Sequence, residues 1–143
     1  MTEYRKILVA VDGSPYTEHT LALTEDKKWR GRNYFYTALY VVPPMPMRAQ
    51  SVMSEEAVEQ YYKDEAEQVF APIKQFVKNH PMRMKFLYKE GKAAEVIAQT
   101  AVEGGFDIIL MGTQGENRLT NMVMGSVVTG VLARCEIPVL LLH

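Results

Sequence analysis

Residues 6–12, KILVAVD, are β-branched and almost continuously apolar, the pattern of a strand covered on both faces. Gly13 then turns the chain, Ser14 is placed to cap a helix, and Pro15 suits a first helical position. The predicted helix reaches about Trp29, with Leu21 and Leu23 inward and charges gathering in TEDKKWR, until Gly31 and Asn33 break it. A second strand is expected over Tyr34–Val42 and ends at Pro43, Pro44 and Pro46, which remove backbone donors. Residues 43 to about 51 read as a loop. From Ser54 to about Asn79 the residues Val58, Tyr61, Tyr62, Val69, Ile73, Phe76 and Val77 follow a helical period, and the Glu/Lys-rich remainder is a solvated face. Pro72 inside this stretch is expected to kink or split it. Residues 84–88 form the third expected strand, and Gly91 a turn. The helix Ala93–Glu103 is stopped by Gly104-Gly105. Asp107 leads into a fourth strand, IILM. A loop bounded by Gly112 and Gly125 follows, then a helix from about Ser126 to Arg134 and a fifth strand, Val139–Leu142.

Strand and helix alternate with no shift in composition, which predicts one α/β domain over residues 1–143: an open, mostly parallel five-stranded sheet with helices on both faces. The length of 143 residues suits a single core. Sixteen basic and seventeen acidic residues nearly cancel, so bulk charge favours neither nucleic acid nor a membrane surface as partner. The apolar run 7–11 is too short for a membrane span or signal core. Cys135 is the sole cysteine, which rules out an intramolecular disulfide and fits a reducing compartment, so the expected location is cytoplasmic.

In open α/β sheets ligands bind beyond the carboxyl ends of the strands, where connections diverge to opposite faces. Asp12-Gly13-Ser14, the end of the second strand around Val41, and the loop opened by Gly112 all fall at such ends. The last is the most informative: GTQG at 112–115, nine residues, then Gly125-Ser126 at a helix start. Glycines let a backbone approach phosphate oxygens, and a helix N-terminus adds N–H donors and dipole. Spacing alone leaves open whether these glycines only supply turns. Asp12 likewise either caps the next helix or accepts a hydrogen bond from a base or ribose, with Val41 as an apolar wall beside the ring.

The chain resembles the universal stress protein family over essentially its full length. The resemblance rests on ILVAVDGS, ALYVV, the turn and helix at 91–97, FDIILMGTQG and GSVVTGVLARCEIPVLLL. Nucleotide-binding members carry Gly, two residues, Gly, nine residues, Gly, then Ser or Thr, which positions 112–126 match. The resemblance implies a strand order 3-2-1-4-5. It implies an adenine and ribose side formed by Ala10, Val11, Asp12 and Val41, with Met111, Gly112 and Gly115 lining the pocket. Gly125, Ser126 and Val127 would hold the phosphates of ATP or another adenine nucleotide, with any magnesium held mainly by those phosphates. It further implies a homodimer through strand 139–142 and a nucleotide-dependent switch in a stress response. One departure is the segment ENRLTNMVM, whose single cation is Arg118 and which includes the acidic Glu116.

An enzyme needs a catalyst, and the sequence shows none. There is no GxxxxGK[ST] loop; Gly91-Lys92 lacks the preceding glycine and the following hydroxyl. Neither a Ser-Gly-Gly loop after the first strand nor a His-x-Gly-His motif is present. His19, His80 and His143 are scattered, with His80 serving a helix end. Cys135 reads as a small hydrophobe. Met45, Met47, Met122 and Met124 read as gap-filling or pocket-covering side chains ahead of a partner surface. The expected function is therefore an adenine-nucleotide switch. The alternatives are a slow ATP-hydrolysing or phosphate-transferring enzyme and a dimeric interaction module without nucleotide.

Overall fold

The computed structural model describes residues 5–13, 34–80, 82–112 and 125–142. The expected helix at 15–29 and most of the glycine loop lie outside them. The elements in chain order are β1 (Arg5–Val11), β2 (Tyr34–Val42), α1 (Met47–Gln50), α2 (Glu55–Asn79), β3 (Met84–Glu90), α3 (Ala93–Glu103), β4 (Ile108–Gly112), α4 (Ser126–Arg134) and β5 (Val139–Leu142). All strand pairs are parallel and the sheet order is β3-β2-β1-β4-β5, as the alternation and the resemblance predict.

Side-chain alternation builds two apolar layers. Ile7, Val9 and Val11 of β1 join Tyr36 and Ala38 of β2 against Ala66, Phe70 and Ile73 of α2. Leu8 joins Leu39, Val41, Ile109 and Met111 against Ile97 and Ala101 of α3 and Val128 and Val131 of α4. Central β1 is covered on both faces, which is why its sequence shows no polar alternation. Each fully buried leucine or isoleucine here contributes about 1.5–3 kcal/mol. The β2–β3 crossover places α2 on one face, and the β3–β4 and β4–β5 crossovers place α3 and α4 on the other. That reversal of winding puts the topological switch point between β1 and β4.

Three expectations need correction. Residues 43–51 are not all loop: the peptides of Ala49 and Gln50 bond back to the Pro46 carbonyl and close the turn α1. The Met45 amide donates to Tyr62 Oη at 2.9 Å, and Gln50 Nε2 donates to the Met45 carbonyl at 2.7 Å, so α2 fastens this segment down. Pro72 does not split α2, a helix of 25 residues. Pro72 and Gln68 are both exposed, so the carbonyl deprived of its donor faces water. β3 runs two residues past the expected Tyr88, because Lys89 and Glu90 pair with Val41 and Val42 along a sheet edge where charge is tolerated.

Local chemistry explains the α2 ends. Ser54 Oγ accepts from the Ala57 amide at 3.1 Å, and Glu55 and Glu56 sit favourably in the first turn. At the other end His80 Nδ1 donates to the Phe76 carbonyl at 2.9 Å while its ring stacks on Phe76 at 4.0 Å, the helix-end role expected for it.

Candidate functional site at the carboxyl ends of the strands

Register brings the candidate residues of three strands together. Ala10 lies opposite both Leu39 and Met111, and Val11 lies opposite Tyr40. Ala10, Val41 and Met111 all belong to the layer facing α3 and α4. Asp12 follows β1 by one residue, with the parity of Leu8 and Ala10, and is exposed. Val11 borders this end through its backbone: its side chain is buried in the opposite layer against α2.

Gly13 stands in a turn whose backbone favours glycine. Its φ is +81°, and an added Cβ would lie 3.2 Å from Val69 Cγ2 of α2. Gly91 is similar: φ is +146°, and a Cβ would lie 2.7 Å from Val96 Cγ2. The Gly91 amide donates to the Val42 carbonyl at 3.0 Å, so the β3–α3 turn is tied to the end of β2 beside Val41. Spacing marked Gly91 as a turn but gave no sign that it borders the site, because that contact is between strands.

Across the switch point stands the start of α4. Val128 and Val131 bury this helix against the sheet, and half-buried Val127 packs on the same layer. That anchoring leaves Gly125 and Ser126 exposed at the carboxyl end. The Gly125 carbonyl accepts from Thr129 N at 3.1 Å, and its φ of −57° is ordinary. No acidic residue occupies the first turn of α4, so no carboxylate of its own offsets the positive end of its dipole. Gly112 ends β4, level with Leu142 of β5, and is exposed.

The structure thus brings Ala10, Asp12, Val41, Met111, Gly112, Gly125, Ser126 and Val127 to one end of the sheet. Gly115, together with Ser14, Glu116 and Arg118, lies outside the described residues. Cys135 is half-buried, its Sγ 3.6 Å from the Val131 carbonyl, and it packs with the α3–α4 layer as a hydrophobe. Met45 is buried, as a gap-filler would be, whereas Met47 is 86% exposed. Met122 and Met124 lie outside the described residues. Among the described residues no group of three or more His, Cys, Asp or Glu could hold a metal ion, and no helix is long and apolar enough to cross a membrane.

Known proteins place this arrangement in a family. The sequence model described as the universal stress protein family matches residues 3–143. The chain is 27% identical over 140 residues to a universal stress protein of Methanocaldococcus jannaschii, covering 96% of this chain and 81% of the relative. Its fold is similar to that of a universal stress protein from Lactobacillus plantarum, at 26% identity and a TM-score of 0.71, covering all of both chains. A family protein of Arabidopsis thaliana solved with AMP bound superposes with a TM-score of 0.66 at 17% identity, covering 96% of this chain and 90% of that one. One from Archaeoglobus fulgidus in complex with dAMP does so at 0.64 and 16%, covering 99% and 98%.

Proposed function

This chain belongs to the universal stress protein family, and on that premise we propose that it is an adenine-nucleotide-binding regulatory protein that signals through its bound state. One observation carries the reading: the face holding Ala10, Asp12, Val41 and Met111 is also the face on which α4 presents its N-terminus. A flat base fits against the apolar wall of Val41, Met111 and Ala10. The Asp12 carboxylate accepts a hydrogen bond from ribose or base. The first-turn amides of α4 and the Ser126 hydroxyl donate to phosphate oxygens. The bound AMP and dAMP of the two structural neighbours support adenine as the base. Magnesium, where present, travels on the nucleotide phosphates.

This reading assigns no residue to position an attacking water and no lysine of a phosphate loop to stabilise the leaving oxygen. Phosphoryl transfer depends on both kinds of group. Turnover is therefore expected far below the ~10 s⁻¹ typical of enzymes, and the bound nucleotide persists long enough to set conformation or partner choice. The cytoplasm is the compartment this role suits.

The test is equilibrium titration with ATP, AMP and GTP, followed by steady-state phosphate release at saturating ATP and magnesium. Adenine nucleotides should bind more tightly than GTP, with phosphate release slow or undetectable. Equal affinity for GTP would remove the adenine wall, and turnover at ordinary enzymatic rates would make the protein an enzyme.

A further inference from the structure

Exposed apolar side chains are ordinary when scattered and informative when gathered. Among the large hydrophobics exposed in the described residues, four fall within residues 47–61: Met47, Val52, Met53 and Tyr61, with Met47 86% and Val52 84% exposed. The backbone that carries them is fixed. Besides the turn closed on the Pro46 carbonyl, the Ser51 amide donates to the Met47 carbonyl at 2.9 Å, Val52 to Ala49 at 3.3 Å and Met53 to Gln50 at 3.2 Å. Ser51 Oγ adds a bond to the Arg48 carbonyl at 2.8 Å. Residues 46–53 are therefore a compact knob, about 12 Å long at a helical rise per residue. Tyr62 holds it to α2 through the Met45 amide, and the Tyr61 ring stands edge-on to Tyr62 with centroids 5.7 Å apart. Tyr61 thus stands beside the knob, and a partner helix of about five turns, ~27 Å, spans both.

Charge along α2 is segregated toward the same end. Residues 47–67 carry six carboxylates against two cations, Arg48 and Lys63, whereas residues 68–79 carry no carboxylate and the cations Lys74 and Lys78. The helix dipole accounts for Glu55 and Glu56 in the first turn but not for Glu59, Asp64, Glu65 or Glu67 further along. Asp64 and Glu65 lie three and four residues after Tyr61, on the same flank of the helix. Asp64 Oδ1 accepts from Gln60 Nε2 at 2.7 Å, and among the described residues none of the six carboxylates has a Lys or Arg ion-pair partner. Methionine adapts its unbranched side chain to varied surfaces. A fixed apolar knob beside an acidic stretch is complementary to a helix that is apolar on one face and basic along its flanks.

We propose that Met47, Val52, Met53 and Tyr61 are the anchoring surface for a basic amphipathic helix of another protein, whose lysines and arginines face the acidic first half of α2. The hydrogen-bonded knob lowers the ordering cost of binding, and the carboxylates steer the partner in. Because α2 packs on the sheet face opposite to Val41 and Met111, this surface is separate from the adenine wall, and the proposal stands independently of the nucleotide reading.

Fluorescence anisotropy with a labelled Lys/Leu amphipathic peptide of about 18 residues, at two salt concentrations, tests it. The controls are a peptide of the same composition scrambled to remove the amphipathic period, and a Glu/Leu peptide with the same apolar face. Wild-type protein should bind the Lys/Leu peptide at least about tenfold more tightly than either control, and more tightly at low salt. Met47→Ser combined with Val52→Ser should weaken that binding about tenfold, since two anchors are lost. Glu59→Gln combined with Asp64→Asn should weaken it about threefold and flatten the salt dependence. Both double variants should melt within a few degrees of wild type, because all four side chains are exposed. Binding of the scrambled or the Glu/Leu peptide as tight as that of the Lys/Leu peptide, or full affinity without Met47 and Val52, would overturn the proposal. So would sedimentation showing a larger assembly for wild type than for the Met47→Ser, Val52→Ser protein, which would make a second copy of this chain the occupant.

Discussion

Gly125 has a backbone any residue adopts, φ −57° and ψ 156°, so its lack of a side chain serves no conformational need. Among the described residues, a Cβ built there meets nothing within 4 Å. The N-terminal end of a helix is where a phosphate group would sit. Gly125→Val should therefore fold normally, with its Tm within a few degrees of wild type, yet bind ATP at least about tenfold more weakly. Thermal melting with ATP titration checks both halves, and a folded variant that binds ATP as wild type does would return this glycine to a role in the turn. Gly13 and Gly91 differ in kind. Both have positive φ and close neighbours, so substitution there strains the fold itself.

At the scale of elements, α3 and α4 pack directly on one another at Gly130 and Ala94 and through the Glu95–Arg134 pair. Gly130 lets the two helices meet at Ala94. A larger residue must push the helices apart or shift α4 along its axis. Gly130→Val is expected to cost about 1–3 kcal/mol by overpacking, read as a lower urea midpoint at unchanged slope. An unchanged midpoint would mean that the helices separate freely. The α2 helix on the opposite face is insulated from this. Its contacts run through Ala66, Phe70 and Ile73 to the other side of the sheet.

For the whole molecule, the two sheet edges differ in character. The β3 edge carries Lys85, Lys89 and Glu90, and Lys89 Nζ turns inward to donate to Thr100 Oγ1 at 2.9 Å. Charged and inward-pointing side chains are the usual protection of an exposed edge. The β5 edge, Val139-Leu140-Leu141-Leu142, has no charge. A homodimer paired through β5 is therefore expected, leaving the β3 edges outward. Sedimentation across a dilution series checks this, and a monomer stable at all concentrations would defeat it.

Much of this architecture is local in origin and so was legible in the sequence. A run of aromatic and β-branched residues stopped by prolines marks β2 to the residue, and paired glycines mark the end of α3 at Glu103. The start of α4 at Ser126 follows from Gly125 in the same way. The glycine spacing, together with Asp12 and Val41, pointed to one end of the sheet, and the described residues of that set do gather there, because strand ends and helix starts are set by neighbours in the chain. What depended on distant residues was decided only by tertiary structure. Val11 turns its side chain away from the site because the core covers β1 on both faces. Pro72 stays within one helix because its orphaned carbonyl partner, Gln68, is on the wet side. Residues 47–50 become helical because Tyr62 and Gln50 hold Met45. The close approach of α3 and α4 joins Gly130 and Ala94, residues 36 positions apart in the sequence. No local pattern encodes that approach, since it depends on how two buried faces settle on the same sheet.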